Sequence, residues 1–138
     1  MTIGDKIPRK KSVVGYKMVL KDEHGKYRSI YTYQIYQIEK PIQKANKNTK
    51  VYSNCVPWFF TDFVHFCWND DYNGFTSAYQ NSDDCVLQGL HQLPENSSAK
   101  VVKIQVTLAG DLHEGTYIHP VYIGKKIMSI KEIKEFDK

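Results

Sequence analysis

The chain has 138 residues, of which 41% are hydrophobic and 25% charged, and this length and composition exclude a disordered chain and fit one domain. No apolar run approaches the length of a membrane-spanning helix or of a signal peptide, and three cysteines without regular spacing are not a secreted disulfide framework. We therefore expect one cytoplasmic domain over residues 1–138 with no membrane contact. Within it, residues 1–11 are predicted to form a flexible basic segment.

The first strong pattern predicts a β-hairpin. Val13–Leu20 alternates apolar residues with a period of two, which is typical of a strand. The polar stretch Lys21–Lys26 contains Gly25, which can adopt the dihedral angles of a tight turn. Tyr27–Ile38 follows, rich in Tyr, Ile and Thr, and is predicted to be the second strand.

The secondary structure of the middle of the chain is predicted less definitely. Lys40–Lys50 is polar and lysine-rich, so we expect a surface loop. Pro57–Trp68 is the most apolar segment and fits both a helix that begins near its proline and a strand with aromatic residues on both faces. Capping residues before Cys85–Gln88, and Gly89 after it, predict a short helical turn.

The last third of the chain has the clearest strand. Ala99–Leu108 alternates strictly between aliphatic and polar residues. Thr116–Ile123 reads as a strand that Pro120 would place at a sheet edge, where two copies of the chain could pair into a homodimer. A capping-box pattern predicts a terminal helix over Ile130–Phe136. The predicted fold class is α+β: mainly an antiparallel β-sheet of hairpins, with one or two short helices.

Motifs for catalysis and metal binding are weak in this sequence. The paired cysteine knuckles of zinc sites are missing, so we expect the cysteines to be buried and the protein to hold no metal or cofactor. No phosphate-binding glycine loop and no local signature of a cysteine nucleophile occurs, which favours a protein that is not an enzyme. The side chains weighed for a zinc shell are Cys55, His65, Cys67, Cys85 and His91.

The tyrosines of the second predicted strand suggest a binding surface. Tyr and Arg are enriched where proteins contact one another, so Arg28, Tyr31, Tyr33 and Tyr36 form the predicted partner surface. Packing of the same rings into the core is the alternative. A further alternative is a nucleic-acid-binding module, because basic residues lie near the tyrosines and a net charge of +4 favours polyanions.

Three short sequences occur together and carry a resemblance. They are Val14-Gly15-Tyr16-Lys17, then Cys85 followed by Gly89-Leu90-His91, and Val102–Leu108 leading to Ile130-Lys131-Glu132-Ile133. This arrangement resembles a family of small domains from bacteria and their phages that has no established activity. The resemblance directs attention to His91, which would follow a glycine-closed turn beside the long strand.

Two functional expectations follow from the residues and the resemblance. The first is a non-enzymatic binding protein, encoded by a phage, that engages a host protein, such as a defence protein, or a small nucleotide through its tyrosine-rich surface. The second is a nucleotide-using enzyme, because Tyr-Lys in an opening strand and a later Gly-Leu-His are also similar to ADP-ribosyltransferase-like folds. Tyr16, Lys17 and His91 would then line the ligand site.

Overall fold

The computed structural model describes residues 2–7, 11–30, 33–42, 74–85, 99–117 and 119–136. Strands account for most of these residues, and the predicted mainly antiparallel β architecture is confirmed. The strands are β1 (Thr2–Lys6), β2 (Val13–Lys21), β3 (Tyr27–Arg28), β4 (Thr76–Tyr79), β5 (Lys100–Ala109), β6 (His113–Tyr117), β7 (His119–Gly124) and β8 (Lys126–Phe136).

The pairing of β2 with β5 forms the centre of the sheet. Every residue of β2 has an antiparallel partner in β5, from Val13 opposite Leu108 to Lys21 opposite Lys100. Both segments are predicted strands, and both are confirmed within one or two residues at their ends. Alternate side chains of such a pair point to opposite sides, so this ladder decides which residues each face receives.

The remaining strands extend the sheet on both sides of this pair. The described strands run in the order β1-β6-β7-β4-β2-β5-β8, and β3 pairs with the end of β2. All of these pairings are antiparallel. The strands β1 and β8 therefore stand at the two ends of the described order.

One side of the sheet, the first face, carries the main core. Four alternate residues of β5 are fully buried there: Val102, Ile104, Val106 and Leu108. The chain after β3 crosses this face and packs Tyr36 and Ile42 onto the aliphatic side chains. The opposite side, the second face, has its own buried cluster of Phe75, Val121 and Ile123.

The N-terminal segment, for which flexibility is predicted, contains a strand. Thr2–Lys6 pairs with β6, with Ile3 opposite Gly115 and Lys6 opposite His113. Two contacts explain why this stretch is ordered: the backbone N–H of Ile7 donates to the carbonyl of Leu112 at 2.8 Å, and Lys6 Nζ lies 3.5 Å from Asp111 Oδ1. Residues 8–10 lie outside the described part of the chain.

The predicted terminal helix is wrong. Residues Ile130–Phe136 belong to β8, which pairs with β5 along its length. In the described residues the helical structure is a single 3-10 turn at Ser82–Asp84, so the predicted helical part of the α+β class is not confirmed. None of the described helical structure is long and apolar enough to cross a membrane.

Two other strand predictions need correction. The strand predicted over Tyr27–Ile38 stops at Arg28, because the chain turns: Tyr33, with a φ of 62°, donates its N–H to the carbonyl of Ser29. The strand around Pro120 is not at an edge, because β7 lies between β6 and β4. Pro120 stands at the start of β7, where a missing N–H is tolerated.

Several predictions fall on other parts of the chain. The loop predicted over Lys40–Lys50 is described only as far as Ile42, and the turn predicted through Cys85–Gln88 only as far as Cys85. Pro57–Trp68 lies outside the described residues. These three predictions stay predictions.

β2 and β4 approach each other so closely at Gly15 that a larger side chain does not fit there. A methyl group added at Gly15 would lie 2.7 Å from the Cβ of Ala78 and 3.0 Å from the carbonyl oxygen of Tyr79. We expect Gly15→Ala to lower the free energy of unfolding by about 1–3 kcal/mol, because β4 must move away from β2. Urea denaturation of the two proteins measures the difference.

The double variant Gly15→Ala/Ala78→Gly serves as the control. It removes the nearest atom that the new methyl group meets, so part of the lost stability should return relative to the sum of the single variants. A single variant as stable as the parent protein would show that the two strands do not pack this closely.

Candidate functional site

The structure separates two of the residues predicted to share a ligand site. Tyr16 and Lys17 are consecutive in β2, so their side chains lie on opposite faces. Tyr16 is half-buried on the second face, opposite Tyr79 and Gln105. Lys17 is buried on the first face, opposite Ile104. His91 lies outside the described residues, so its predicted role stays a prediction.

Lys17 is an unusual component of the first face because its side chain is only 5% exposed. Its ammonium group donates to the carbonyl oxygen of Ser77 at 2.7 Å and lies 5.8 Å from the centre of the Tyr36 ring. A buried ammonium is costly unless such partners replace water. The lysine therefore fixes the ring of Tyr36 against β2 and β4.

The residues of the predicted partner surface have different environments. Arg28 stacks on the ring of Tyr33 at 4.6 Å and donates to the carbonyl oxygen of Tyr33 at 2.9 Å. Tyr36 is buried, contrary to the prediction that it belongs to an exposed surface. Tyr31 lies outside the described residues. Arg28 and Tyr33 are therefore stacked together, whereas the ring of Tyr36 belongs to the core of the first face.

A groove opens beside Tyr36 on the first face. Its volume is about 680 Å³, within the range of binding clefts. Three backbone segments form it: the tip of the β2–β3 hairpin, the chain that crosses the sheet after β3, and the first half of β8. The lining residues are Gly25, Lys26, Tyr27, Ile35, Tyr36, Gln37, Ile38, Met128, Ser129 and Ile130.

The side chains in the groove are mainly apolar and aromatic. Tyr27 and Ile130 are partly buried and pack against the main core, and Tyr36 belongs to that core. Ile38, in contrast, is 44% exposed at the rim. The groove thus combines a fixed aromatic floor with an exposed aliphatic rim.

One end of the groove is polar. The hydroxyl of Tyr27 donates to Glu132 Oε1 at 3.3 Å, and Lys21 Nζ lies 3.1 Å from the same oxygen. Burial, together with the charge of Glu132, raises the pKa of Tyr27. The hydrogen bond to Glu132 likewise raises the pKa of Lys21, so both groups stay protonated at neutral pH. These contacts hold the hairpin over β8.

Asp22 organises the hairpin tip that forms one wall of the groove. One carboxylate oxygen accepts the backbone N–H groups of His24 at 2.9 Å and Lys26 at 2.8 Å. The other oxygen accepts from Arg28 Nε at 2.7 Å. Burial alone would raise the pKa of Asp22, but Arg28 and the two backbone donors outweigh it, and the pKa lies below its ordinary value.

The chemistry of the described cysteine is unfavourable for catalysis. Cys85 is buried, and burial raises its pKa to about 11, although the charges of Lys103 and Lys17 oppose the shift. Its thiolate is scarce at neutral pH. Among the residues that the structure describes, no group of three His, Cys, Asp or Glu side chains is arranged to hold a metal ion. The other residues weighed for a zinc shell lie outside them.

Comparison with known proteins adds no further assignment. No family model, no curated protein and no solved structure matches this chain. The function proposed below therefore rests on the groove.

Most of the groove is not predicted by the sequence. The sequence predicts Tyr27 and Ile38 in one continuous strand and Ile130 at the start of a helix, so no prediction brings these residues together. Turn chemistry at Asp22 and Gly25 is the one sequence signal that points to the hairpin wall.

The hairpin wall should weaken in acid. A folded-state pKa below the unfolded value means that the ionised Asp22 stabilises the native state, and this stabilisation is lost as the pH falls through the folded-state pKa. We expect Asp22→Asn to lower the free energy of unfolding by about 1–2 kcal/mol at neutral pH. The difference from the parent protein should shrink between about pH 7 and about pH 3, measured by urea denaturation. A difference that is independent of pH would contradict the role of the carboxylate.

The thiol of Cys85 should react slowly in the native protein. We expect alkylation by iodoacetamide at mildly alkaline pH to label Cys85 much more slowly than in urea-unfolded protein, because the native thiol is buried and its pKa is about 11. Peptide mass spectrometry of the labelled chain distinguishes this site from the other cysteines. Equal labelling rates in the native and unfolded protein would contradict the buried placement.

Proposed function

We propose that the protein is a non-enzymatic binding protein that engages a segment of another protein in the groove between the β2–β3 hairpin and β8. The observation that carries this proposal is Ile38, exposed at the rim of a groove whose floor is the fixed ring of Tyr36. Pockets that bury an apolar anchor between aromatic side chains are where protein partners gain most binding energy.

The chemistry of the groove favours a protein segment over a nucleotide. Most of the side chains that form it are aliphatic or aromatic, and the glycine-rich loops that usually cradle phosphates are missing from the sequence. The enzyme alternative receives less support, because Tyr16 lies on the second face and the groove on the first.

The resemblance to small domains of bacteria and phages suggests the class of protein to which the partner belongs. If the chain is a phage protein, its partner is a protein of the host cytoplasm, and a defence protein would be one such target. The phage origin is part of the proposal. Binding in the groove is inferred from the described side chains alone and does not depend on that origin.

Selection of short random peptides on the purified full chain tests the proposal. We expect the selected peptides to bind the parent protein and to lose at least about tenfold in affinity for Ile38→Asp, because a carboxylate at the rim would be desolvated by an apolar partner. Titration calorimetry measures the affinities, and thermal unfolding verifies that the variant is folded. If Asp at this position unfolds the chain, Ile38→Ser replaces it.

Val14→Asp is the matched control. Val14 is 45% exposed, nearly the same as Ile38, but it projects from β2 on the second face. Peptide affinity for this variant should stay within about twofold of the parent value. Equal losses of peptide affinity for both variants would contradict a groove for protein segments. So would binding of a nucleotide such as ATP to the parent protein, if Ile38→Asp abolishes that binding.

A further inference from the structure

The outer edge of β8 is the longest open strand edge in the described residues. On its inner side β8 pairs with β5, and on its outer side only its first residues, Lys126 and Ile127, form bridges, to Pro41 and Ile38. From Met128 onward no described strand lies beside that edge. Alternate backbone N–H and C=O groups of an edge strand point outward, where a partner strand can use them.

Two bulges restrict the part of this edge that can pair. The register of β8 against β5 shifts at Met128, between Ile127 and Ser129, and again at Ile133, between Glu132 and Lys134. Between the bulges, Ser129–Glu132 runs in regular register opposite Ile104–Thr107. A bulge disrupts a ladder and bends the strand, so a partner strand of regular geometry fits only this short stretch.

The regular stretch lies directly at the groove. Met128, Ser129 and Ile130 form its β8 wall, and Ile38, which bridges to Ile127, lines the groove with them. A strand added along Ser129–Glu132 would run beside the groove and direct every second side chain to the first face. One of those side chains would lie between Tyr27 and Ile38.

The charges of the side chains around this edge indicate the composition of the partner segment. Within the described part of the chain, Lys26, Lys126 and Lys131 take part in no ion pair. The carboxylate of Glu132 is already bound by Lys21 and Tyr27. Glu39, which follows Ile38, is exposed, and the three lysines outnumber this carboxylate. The surroundings of the edge are thus cationic, and acidic side chains in the partner would complement them.

A second copy of the chain fits this edge poorly in each register. Pairing of two regular stretches about Lys131 would set the two Lys131 side chains directly opposite each other, where like charges are destabilising, and pairing about Ile130 would set them diagonally across from each other. Antiparallel pairing of two β8 strands about Ile133 would set Lys131 of one copy beside Glu135 of the other. The bulge at Ile133 prevents this pairing, because Lys131 lies opposite Gln105 on the second face and Glu135 lies opposite Val102 on the first. Opposing side chains of two paired strands must share a face.

We infer that the partner is an extended, acidic segment of another protein that adds as a strand to the outer edge of β8 along Ser129–Glu132. An apolar side chain of that segment enters the groove between Tyr27 and Ile38. This inference rests on the proposed binding function of the groove and specifies the conformation and charge of what binds there.

The test uses the selected peptides together with versions that are N-methylated at successive backbone amides. We expect the peptides to be rich in Asp and Glu, and N-methylation at alternate positions to weaken binding by at least about tenfold, because a methylated amide cannot donate to the edge. Methylation at the intervening positions should have little effect. Hydrogen exchange should slow at the amides of residues 129–132 when the peptide is bound.

Charge reversal supplies the second readout. Lys131→Glu should weaken peptide binding by about fivefold or more at low salt, and the loss should diminish as salt is added. Lys11→Glu, a change of the same size at an exposed lysine that precedes β2 and lies outside the edge strand, is the matched control and should leave affinity nearly unchanged.

The outcomes separate the inference from the proposed function. Peptides whose binding depends on Ile38 but tolerates methylation at every amide would overturn the added strand and leave the groove as the binding site. Selection of basic peptides would do the same. Peptides that bind without dependence on Ile38 would overturn both. Dimerisation of the free protein that the peptides disperse would overturn the inference in favour of a second copy of the chain.

Discussion

The antiparallel ladder between β2 and β5 is the constraint on which the remaining structure depends. It joins every residue of β2 to β5 and sets four fully buried aliphatic residues of β5 on the first face. A slip of one residue would expose all four of them, at about 1.5–3 kcal/mol for each side chain, so the register is strongly determined. The same register fixes the positions of Val13, Val19 and Lys17. Lys17 is buried because its place in the ladder is opposite Ile104, whatever its intrinsic preference for water.

The groove exists because the first face is covered by two separate pieces of chain. The segment after β3 lays Tyr36 and Ile42 on the core, whereas the hairpin tip is held by Asp22 and reaches Glu132 through Tyr27. The two pieces leave a gap over the beginning of β8. Since Tyr36 is fixed by packing and by the ammonium of Lys17, the floor of that gap is preorganised, which reduces the entropy lost when a partner binds.

The sequence predicts this fold where periodicity is uninterrupted. β2 and β5 alternate cleanly, and both are found close to their predicted bounds. Part of β8, Ile130–Phe136, is predicted to be a helix because Ser129 and Glu132 match a capping box, and the bulges hide the alternation of a strand because each adds one residue. Ile127 and Ile130 lie opposite Leu108 and Val106, which are two residues apart, yet they are three apart in β8. Spacing of three is a helical signal, and Ile133, itself the extra residue of the second bulge, extends it. The turn after Arg28 was missed because it depends on a tyrosine with positive φ, which sequence preferences do not anticipate.

Of the candidate site, the sequence could indicate residue types but not their placement. Tyr36 and Arg28 were singled out for their chemistry, yet whether a tyrosine in a β-rich segment is core or surface depends on which chain crosses above it. The bulges that conceal β8 in the sequence also limit how much of its open edge can pair. Long regular edges invite unlimited pairing, and a bulge at each end leaves room for only one short strand. The lysine in this short stretch disfavours a second copy by charge, while the stretch keeps a place for a partner whose charge and conformation fit, so the irregularity of β8 is itself a source of specificity.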